Sequence, residues 1–551
     1  MQPIIECVPN FSEGNDLNII KQITDQIETV EGVRLLNVDP GKATNRTVVT
    51  FVGNPEAVIE AAFLAIKKAG ELIDMSKHKG EHPRMGATDV CPLIPIANIS
   101  MEETAKYAQR LAERVGKELR IPTYLYEAAQ TDKGRNNLSV IREGEYKGFF
   151  KKIKQPEWKP DFGPAEFDAK RGGTVIGARD FLVAYNVNLN TTSVRRANAI
   201  AFDVREAGRK IIDDRGKIIV KPGSLKCVKA IGWFIEEYGV AQISINLTNI
   251  NITSVHIAFD EVCKKADVRG IRVTGSELVG LIPLQAMLDA GKYFLRKQKR
   301  SVGVSEKELI KIAVKSLGLD ELGPFKPEER VIEYLLKNKA DSKLVDMTLS
   351  DFADETASES PAPGGGSISA YVGSLGISLA TMVANLSSHK KGWDERWEEL
   401  SNWAEKGQQY KDELLRLVDA DTKAFNQIMN AMSLPKASDE EKAVRKKAIN
   451  EATKFAIEIP FKVMQASYDS MEVIKAMAET GNPNSVSDAG AGALCARTAV
   501  MGAFMNVRIN AAGYDDKDFV TDILSKGREI ENKTIALETE ILKTVNGKIG
   551  V

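Results

Sequence analysis

The stretch that most constrains the fold is "PGGGSISAYVGSLGISLATMVANLSS", residues 363–388, which contains no charged side chain. Gly376, Ala380 and Ala384 recur every four residues within it and would give one helical face a smooth surface. A smooth face lets another helix approach closely, and the absence of charge is typical of a helix surrounded by other helices. We therefore predict that the last third of the chain contains a buried helix in a helical bundle.

Two other interpretations of this stretch fit less well. A phosphate-binding loop of the Walker type requires Gly-Lys-Ser or Gly-Lys-Thr after a strand, whereas Gly366 is followed by Ser367 and Ile368. A membrane span requires about 20 predominantly apolar residues, and the serines and glycines make this stretch too polar, so we predict no membrane span. The free N–H groups at the start of the helix would suit a carboxylate or another anionic group.

Composition limits the class of protein. A chain of 551 residues is too long for one hydrophobic core and indicates about two to four domains. Its 75 lysines and arginines balance 76 aspartates and glutamates, so no general attraction to nucleic acid is expected. The five cysteines include no Cys-x-x-Cys pair, which argues against a disulfide framework or a cysteine zinc site. The start, "MQPIIECVPNFSEG", lacks the basic region of a signal peptide, so we expect a reduced, cytoplasmic protein.

The composition and the hydrophobic pattern of the chain change beyond residue 360. Before it, β-rich runs such as "VRLLNVD" and "RTVVTFVG" alternate with amphipathic runs such as "MEETAKYAQRLAERVGKEL". After it, Ala, Leu, Met, Glu and Lys dominate without a clear strand pattern. We predict an α+β N-terminal part, made of two α/β sandwich subdomains, fused to an all-α helical bundle. The predicted domains are residues 1–180, 181–327 and 346–551, with a linker at 328–345.

One carboxylate of the bundle occupies a position where an apolar side chain is expected. In "DELLRLVDADTKAFNQIMNAM" an apolar helical seam includes Val418, Phe425 and Met432, and Asp421 takes the seam position between the first two. Asp419 lies about 200° around the helix and should face solvent. A carboxylate among apolar side chains is costly unless paired, and burial raises its pKa. Asp421 is therefore either a structural residue bonded to a neighbouring helix or a general acid or base.

Two of the four histidines lie in "MSKHKGEHPRMGATDVCPLIP", at His78 and His82. Their spacing could suit zinc on a helix, but Gly80 and Pro83 argue against a helix and no His-Glu-x-x-His motif occurs. The stretch is otherwise a mobile surface loop or a catalytic loop. In the catalytic interpretation, His82 supplies an acid or base near neutral pH and Arg84 can bind a carboxylate through its forked guanidinium.

Long motifs in both halves resemble one family. "CVPNFSEG", "NVDPGKATNRTVVTFVG", "HPRMGATDVCPLIP" and "GARDFLVAYNVNL" resemble the formiminotransferase domain. "PAPGGGSISAYVGSLGISLATMV", "DADTKAF" with "LPK", and "SDAGAGALCARTAVMGAFMNVRIN" resemble the cyclodeaminase domain. The order and spacing of these motifs are similar to those of the formimidoyltransferase-cyclodeaminase family over nearly the whole chain.

The resemblance implies a bifunctional folate enzyme of histidine breakdown. Its first reaction moves a formimino group from N-formimino-L-glutamate to tetrahydrofolate. Its second closes 5-formimino-tetrahydrofolate to 5,10-methenyltetrahydrofolate and releases ammonia. It also implies tetrahydrofolate, with or without a polyglutamate tail, as one-carbon carrier, no metal, and a homo-oligomer built from dimers. The alternatives are a single active domain, 5-formyl-tetrahydrofolate as donor, and a non-catalytic folate-binding scaffold.

The resemblance also assigns residues. The family's catalytic histidine falls on His82 and its acidic catalytic residue on Asp421. We further infer that Arg84 binds a glutamate carboxylate and that Asp39 steadies the amidinium-like transition state. The basic stretch 292–300 is either a surface that attracts a polyglutamate tail or an ordinary solvated helix end. The segments that contact folate in the family fall on Gly163, Pro164, Ala165, Glu166, Phe167, Asp168, Ala169, Lys170, Arg171 and Gly172, and on Lys447, Asn450, Glu451 and Lys454.

Overall fold

The structure is a computed structural model that describes residues 3–212, 216–336 and 344–550. The chain divides into two compact units. The first, here called the α/β unit, consists of residues 1–290 and 313–337, and the second, here called the helical unit, consists of residues 291–312 and 338–551. The domain boundaries predicted from sequence stay predictions, and part of the predicted linker, residues 337–343, lies outside the described residues.

The α/β unit begins with a seven-stranded sheet. Its strands β1 and β2 are consecutive pieces of one interrupted strand, because both pair with β4 on one side and β5 on the other. The order across the sheet is β3, β4, β1 with β2, β5, β7 and β6, and the β5–β7–β6 edge is parallel. The elements of this part are β1 (Ile4–Cys7), β2 (Asn10–Phe11), α1 (Leu17–Glu28), β3 (Val33–Gly41), β4 (Arg46–Gly53), α2 (Pro55–Leu72), β5 (Thr88–Ala97), α3 (Met101–Glu118), β6 (Thr123–Glu127), α4 (Leu138–Ile141), α5 (Glu145–Lys152) and β7 (Thr174–Ala178).

The two faces of this sheet differ. Ile5, Cys7 and Phe51 are fully buried in a core that the sheet shares with α1, α2 and α3. Successive side chains of a strand point to opposite faces, so Arg46 of β4 lies on the face opposite Val49. This second face carries the candidate site described below.

The α/β unit continues with a second, antiparallel sheet in the order β11, β12, β8, β13. Tyr185 and Val187 of β8 are fully buried on the face that α6 and α7 cover, whereas Asn186 and Asn188 alternate with them on the other face. The elements that follow β7 are β8 (Val183–Leu189), α6 (Val194–Val204), β9 (Arg209–Ile212), β10 (Ile218–Lys221), β11 (Val228–Ile235), β12 (Val240–Leu247), α7 (Val255–Asp267), β13 (Val273–Val279), α8 (Leu284–Lys297), α9 (Glu306–Leu317), α10 (Pro327–Arg330) and α11 (Ile332–Leu336).

Long helices make up most of the helical unit. A Cβ at Gly376 would lie 2.8 Å from the carbonyl oxygen of Gly492, so the smooth face predicted from the sequence is where two helices approach closely. Ala380 and Ala384 on the same face are fully buried. The helices after residue 344 are α12 (Leu349–Thr356), α13 (Gly365–Ser388), α14 (Trp397–Ser433), α15 (Asp439–Thr480), α16 (Val486–Ala511) and α17 (Lys517–Ile549).

The predicted fold class is confirmed, including the two α/β subdomains and the all-α bundle. Five strands were not predicted, namely β5, β7, β9, β10 and β13, and the sequence pattern assigns the residues of β5 to the histidine loop. Strand β5 contains Pro92 and Pro95, and prolines ordinarily argue against a central strand. The neighbouring strand accommodates this irregularity, because the register between β1 and β5 shifts between Ile4 and Ile5.

Among the described residues, α13 is the one helix long and apolar enough to cross a membrane by length and composition. In its most apolar 18-residue stretch, however, 61% is buried inside the structure. Burial against other helices is a sufficient reason for an apolar composition. The absence of a membrane span stays a prediction.

Candidate active sites

His82 lies between α2 and β5, and hydrogen bonds hold both of its ring nitrogens. Nδ1 donates to the carbonyl oxygen of Pro83 at 2.7 Å, so Nε2 carries the lone pair and accepts from Nη1 of Arg46 at 2.5 Å. Burial, and then the positive charges of Arg46 and Arg142, lower the pKa of His82 well below its ordinary value. The ring is therefore a neutral base at physiological pH, and not the group titrating near neutrality that the sequence leads us to expect.

A buried carboxylate and two arginines surround this imidazole. The Asp89 side chain, which is 0% exposed, accepts hydrogen bonds from both Nε and Nη2 of Arg142. It also accepts from the backbone N–H of Met85 at 2.9 Å. The second arginine, Arg46, comes only within 4.0 Å of this carboxylate. Asp89 therefore offsets the charge of Arg142 more fully than that of Arg46 beside His82.

The other histidine of the loop has a different partner. Nε2 of His78 hydrogen bonds to the carbonyl oxygen of Asn45 at 2.8 Å, so the two imidazoles bind separate neighbours. Within residues 3–212, 216–336 and 344–550, no group of three His, Cys, Asp or Glu side chains could hold a metal ion. The prediction that the protein uses no metal remains untested.

Arg84 stabilises the histidine loop from within. Its Nη1 donates to the carbonyl oxygens of Gly80 at 2.7 Å and of His82 at 2.8 Å. The carbonyl oxygen of Arg84 accepts from the backbone N–H of Tyr146 at 2.8 Å. One guanidinium nitrogen is thus committed to the loop, and binding of a glutamate carboxylate by the others stays a prediction.

The predicted folate-contacting segment of the first domain ends beside the histidine loop. Gly172 pairs with Gly86 in a β-bridge, and the backbone N–H of Gly173 donates to the carbonyl oxygen of Met85 at 3.2 Å. The structure therefore brings the end of this segment next to the loop that carries His82. These backbone contacts join two parts of the chain that the sequence motifs identify separately.

The middle of the segment is held by its own side chains. Asp168 accepts hydrogen bonds from the backbone N–H of Arg171 at 2.9 Å and from its Nε at 2.5 Å. Phe167 packs against aromatic rings of α5. Glu166 and Lys170 are exposed, whereas the paired Asp168 and Arg171 are half-buried. Contact with folate stays a prediction for all ten residues.

Asp39 is part of an ion pair. Its Oδ2 accepts from the backbone N–H of Gly280 at 2.7 Å and from Nη1 of Arg330 at 3.1 Å. It lies on β3, two residues before Gly41, which is paired with Arg46 across the sheet. These bonds engage one oxygen of the carboxylate, and its role in the transition state remains a prediction.

A network of amides faces the histidine loop from the second sheet. The Trp233 ring lies 6.3 Å from the His82 ring, and its Nε1 donates to Oε1 of Gln242 at 3.1 Å. Nε2 of Gln242 donates in turn to Oδ1 of Asn188 at 2.8 Å, although both side chains are buried. Buried polar groups that satisfy one another present a fixed polar surface. This surface is an addition to the site that the sequence motifs predict.

The helical unit places Asp421 against the start of α13. Ser367 Oγ lies 3.1 Å from Oδ2 of Asp421 and 2.9 Å from the carbonyl oxygen of Val418, and its one hydrogen is shared between these two acceptors. Gly366 lies so close that a Cβ there would come within 2.2 Å of Oδ1 of Asp421. Burial raises the pKa of Asp421, and the hydrogen bonds from Ser367 partly oppose this rise. The carboxylate expected at the start of this helix is therefore supplied by the chain itself.

Two details predicted for α14 are wrong. Asp419 is half-buried and does not simply face solvent, because its Oδ1 accepts from the backbone N–H of Leu344 at 2.8 Å. Met432 is not part of a buried seam, because it is 49% exposed one residue before α14 ends at Ser433. A helical projection gives directions around one axis, but it contains no information about where the neighbouring elements end.

Comparison with known families accounts for most of the chain. The formiminotransferase domain, N-terminal subdomain, matches residues 4–179, the formiminotransferase domain matches residues 184–337, and formiminotransferase-cyclodeaminase matches residues 348–529. The formimidoyltransferase-cyclodeaminase of Gallus gallus is 44% identical over 523 residues, which cover 95% of this chain and 95% of that protein. The chain belongs to the formimidoyltransferase-cyclodeaminase family.

Two shorter relatives each match a part of this family member. The glutamate formimidoyltransferase of Thermoplasma acidophilum is 42% identical over 295 residues, which cover 53% of this chain and 92% of that protein. The methenyltetrahydrofolate cyclohydrolase of Methylorubrum extorquens is 36% identical over 202 residues, which cover 37% of this chain and 97% of that protein. The family predicted from the motifs is confirmed, and the chain is a bifunctional enzyme with a formiminotransferase part and a cyclodeaminase part.

Three residues around the base of the formiminotransferase part were given no role from the sequence. Arg46 and Asp89 lie within the quoted motifs and could have been noticed, because each is a charged residue at the edge of an otherwise apolar strand. Arg142 lies in the polar run "NLSVIREGEY", and nothing in that run distinguishes it from a surface arginine. A polar strand face was also visible in "YNVNL", where asparagines alternate with apolar residues.

The cyclodeaminase part has a cavity of about 430 Å³ beside α15. Nε of Arg445 donates to the carbonyl oxygen of Met432 at 3.2 Å, which fixes the level at which α14 and α15 face each other. All four residues predicted to contact folate in this part line the cavity, whose lining is Ala443, Lys446, Lys447, Asn450, Glu451, Lys454 and Tyr514.

The basic stretch 292–300 is less available than its sequence indicates. Lys292 and Arg296 both pair with Glu405, at 2.6 Å and 3.4 Å. A shared carboxylate reduces the positive charge that could attract a polyglutamate tail. The ordinary interpretation of this stretch, a solvated helix end, is thereby favoured.

We expect Gly366→Ala to slow cyclisation about 10²-fold and to leave formimino transfer unchanged. The added methyl would overlap the Asp421 carboxylate, whose Oδ1 lies 2.2 Å from the Cβ position, so this carboxylate must move. A displacement of about 1 Å at a reacting group can cost about 10²-fold in rate. The measurement is ammonia release from supplied 5-formimino-tetrahydrofolate. Gly364→Ala is the matched control, since its Cβ meets nothing within 4 Å; an equal loss there would contradict a specific effect on Asp421.

Proposed function

We propose that the chain transfers the formimino group of N-formimino-L-glutamate to tetrahydrofolate and then cyclises the product to 5,10-methenyltetrahydrofolate. The observation that carries this proposal is the match to a bifunctional relative over 95% of the chain. It is supported by one candidate acid–base residue in each unit, His82 in the α/β unit and Asp421 in the helical unit. A neutral imidazole suits the transfer, and a carboxyl group with a raised pKa suits the release of ammonia.

The transfer needs one base that returns its proton. N5 of tetrahydrofolate attacks the formimino carbon, and the bond from that carbon to the glutamate nitrogen breaks as the N5–C bond forms. Nε2 of His82 accepts the N5 proton, while the bond from Nδ1 to Pro83 fixes the tautomer. The nearby positive charges of Arg46 and Arg142 disfavour the imidazolium, so the proton passes readily to the departing glutamate nitrogen.

The cyclisation needs a proton donor. N10 attacks the same carbon, and its proton passes to the imino nitrogen as the ring closes. The resulting amino group takes one more proton and leaves as ammonia, which leaves the methenyl cation as product. Asp421 supplies that proton, because burial keeps its acid form populated to a higher pH than in an exposed aspartate. The hydroxyl of Ser367 then stabilises the carboxylate that remains.

Folate binding, assembly and location belong to the same proposal. The lysines of the cavity beside α15 support an anionic tail on the tetrahydrofolate carrier. Five free cysteines support a reducing compartment such as the cytoplasm. A homo-oligomer, which light scattering would reveal, is supported by exposed apolar side chains on α13 and α16, namely Leu375, Met382, Leu386, Leu494, Met505 and Ile509.

The test is an assay of the purified full chain with formiminoglutamate and tetrahydrofolate, in which methenyl-folate absorbance, ammonia and glutamate are followed together. All three should appear in equal amounts. Glutamate without ammonia would leave only the transferase active, and activity on supplied 5-formimino-tetrahydrofolate alone would leave only the cyclodeaminase. Folate binding without any product would favour the scaffold. A parallel reaction with 5-formyl-tetrahydrofolate and glutamate tests the alternative donor, and formylglutamate should not form.

A further inference from the structure

The lone pair that His82 needs as a base is occupied in this structure. Nη1 of Arg46 donates to Nε2, and the Nδ1 hydrogen is held by the carbonyl oxygen of Pro83 at 2.7 Å. While the bond from Arg46 exists, Nε2 cannot accept a proton from folate. A reaction at this nitrogen therefore requires Arg46 to release it first.

Arg46 is poorly satisfied where it lies. Its side chain is 14% exposed, and its Nε is buried without a hydrogen-bond partner among the residues that the structure describes. Its Nη2 is 4.0 Å from Asp89, which is beyond hydrogen-bond distance. The Asp89 oxygens already accept from Arg142 and from the backbone of Met85. The Nε donor of Arg46 therefore lacks an acceptor, and a shift of the guanidinium towards a new acceptor would cost it no hydrogen bond to Asp89.

Positive charge is in excess around the ring. Three guanidinium groups lower the pKa of the ring, and one buried carboxylate pairs with two of them. Trp233, which faces the ring from β11, is neutral. The two glutamates nearby are exposed and act on Arg84. An anionic ligand would compensate this excess. The charged groups are Arg46 from β4, Asp89 from β5, Arg142 from the end of α4, Arg84 and Glu81 from the loop itself, and Glu145 from α5.

We propose that Arg46 blocks Nε2 of His82 in the resting enzyme and that a carboxylate of bound formiminoglutamate draws Arg46 away. We call this arrangement the latch. The carboxylate accepts from the Nε and Nη2 edge in the forked geometry that arginine favours and draws the guanidinium off the imidazole. A carboxylate competes well with a neutral imidazole, because its bond to a guanidinium is charge-assisted on both sides. Nε2 becomes a free base when the formimino donor is bound. The inference rests on the proposed function, since the ligand is its donor substrate.

The first test compares two pH profiles of the unmodified enzyme. The pH dependence of kcat/KM reports on the free enzyme, and that of kcat reports on the substrate complex. The latch predicts that the acid limb of kcat lies at least about one pH unit above that of kcat/KM, because the bound carboxylate adds negative charge beside His82 and removes Arg46. Coincident limbs would overturn the latch.

The second test uses Arg46→Lys, which keeps the charge but lacks the fork. The KM for formiminoglutamate should rise about 10- to 100-fold, as for the loss of a charge-assisted bond, with a smaller change in kcat. N-formimino-4-aminobutyrate lacks the α-carboxylate and N-formimino-2-aminobutyrate lacks the γ-carboxylate. On the unmodified enzyme, one of these analogues should show the same rise in KM, about 10- to 100-fold, and its KM should rise no further on Arg46→Lys. If for both analogues the effect of the missing carboxylate and the effect of Arg46→Lys combine in full, the latch is contradicted.

The third test separates the latch from the proposed reaction. Nitrogen-15 NMR of the resting protein, which has four histidines, needs no turnover and uses glutamate as the probe. Glutamate should raise the pKa of His82 in the unmodified protein and in Arg110→Gln, which removes a surface arginine paired with Glu56, but not in Arg46→Gln. If glutamate shifts the pKa of His82 but the enzyme does not transfer the formimino group, the latch is supported and the proposed reaction is wrong. If transfer proceeds without this pKa shift, the latch is wrong.

Discussion

Transfer of the formimino group should fall by about 10²–10⁴-fold in His82→Ala, while cyclisation of supplied 5-formimino-tetrahydrofolate continues at its normal rate. The physical reason is that the variant removes the buried neutral imidazole whose Nε2 we propose as the acceptor of the folate proton once Arg46 releases it. Cyclisation is spared because Asp421 belongs to the other compact unit. Glutamate release measures the first reaction and ammonia release measures the second.

The matched control is His78→Gln in the same loop. Its amide can still donate to the carbonyl oxygen of Asn45, which His78 contacts at 2.8 Å, so the loop keeps its anchor. We expect transfer in this variant to stay within about tenfold of normal. Normal transfer in His82→Ala would place the base elsewhere, and loss of both activities would point to unfolding.

Ammonia release should fall by about 10²–10⁴-fold in Asp421→Asn, with 5-formimino-tetrahydrofolate accumulating as transfer continues. The amide is nearly isosteric with the carboxyl group and keeps an acceptor for Ser367, but it cannot donate an acidic proton. Asp412→Asn on the same helix is the matched control, because Asp412 is about half exposed and surface changes usually stay within about ±0.5 kcal/mol. Equal damage in both variants would mean that the helix as a whole, and not Asp421, supports cyclisation.

The raised pKa of Asp421 predicts a pH dependence of cyclisation and a change in the stability of the fold. The protonated form is the working acid, so cyclisation should decline as the pH rises through this pKa. The folded state also holds the proton more tightly than the unfolded chain does, so ionisation destabilises the fold as the pH rises above about 4. Asp421→Asn lacks this ionisation and should therefore melt at a higher temperature than the unmodified protein near pH 8. A lower melting temperature there would contradict the burial argument.

The sequence predicted Asp421 because its signal is local. Val418 and Phe425 on either side of Asp421 are enough to show a carboxylate on an apolar seam, because the helical period places all three side chains on one face. The partner of Asp419 could not be predicted in this way, because Leu344 precedes it by 75 residues and nothing in either segment encodes their contact. The same limit applies to Met432, whose exposure depends on where the rest of the bundle ends.

The histidine site shows the same division between local and distant information. His82 was predictable from its loop, but its pKa was not, because the groups that lower it come from β4 and from the end of α4. Arg142 in particular reaches Asp89 across 53 residues of chain. The motifs therefore predict which residue reacts, whereas its protonation state depends on tertiary packing.

The bridge between Gly86 and Gly172 restricts how this enzyme can diverge. A Cβ at Gly86 would lie 2.3 Å from the carbonyl oxygen of Gly173, and a Cβ at Gly172, whose φ is +68°, would lie 2.1 Å from that of Met85. In each case the obstacle is backbone, so no change of a neighbouring side chain makes room. A variant that keeps this junction cannot replace either glycine alone, because the added Cβ would overlap backbone atoms. Replacing both glycines would create both overlaps at once. Substitution is therefore restricted at Gly86 in the histidine loop and at Gly172 in the segment 163–172.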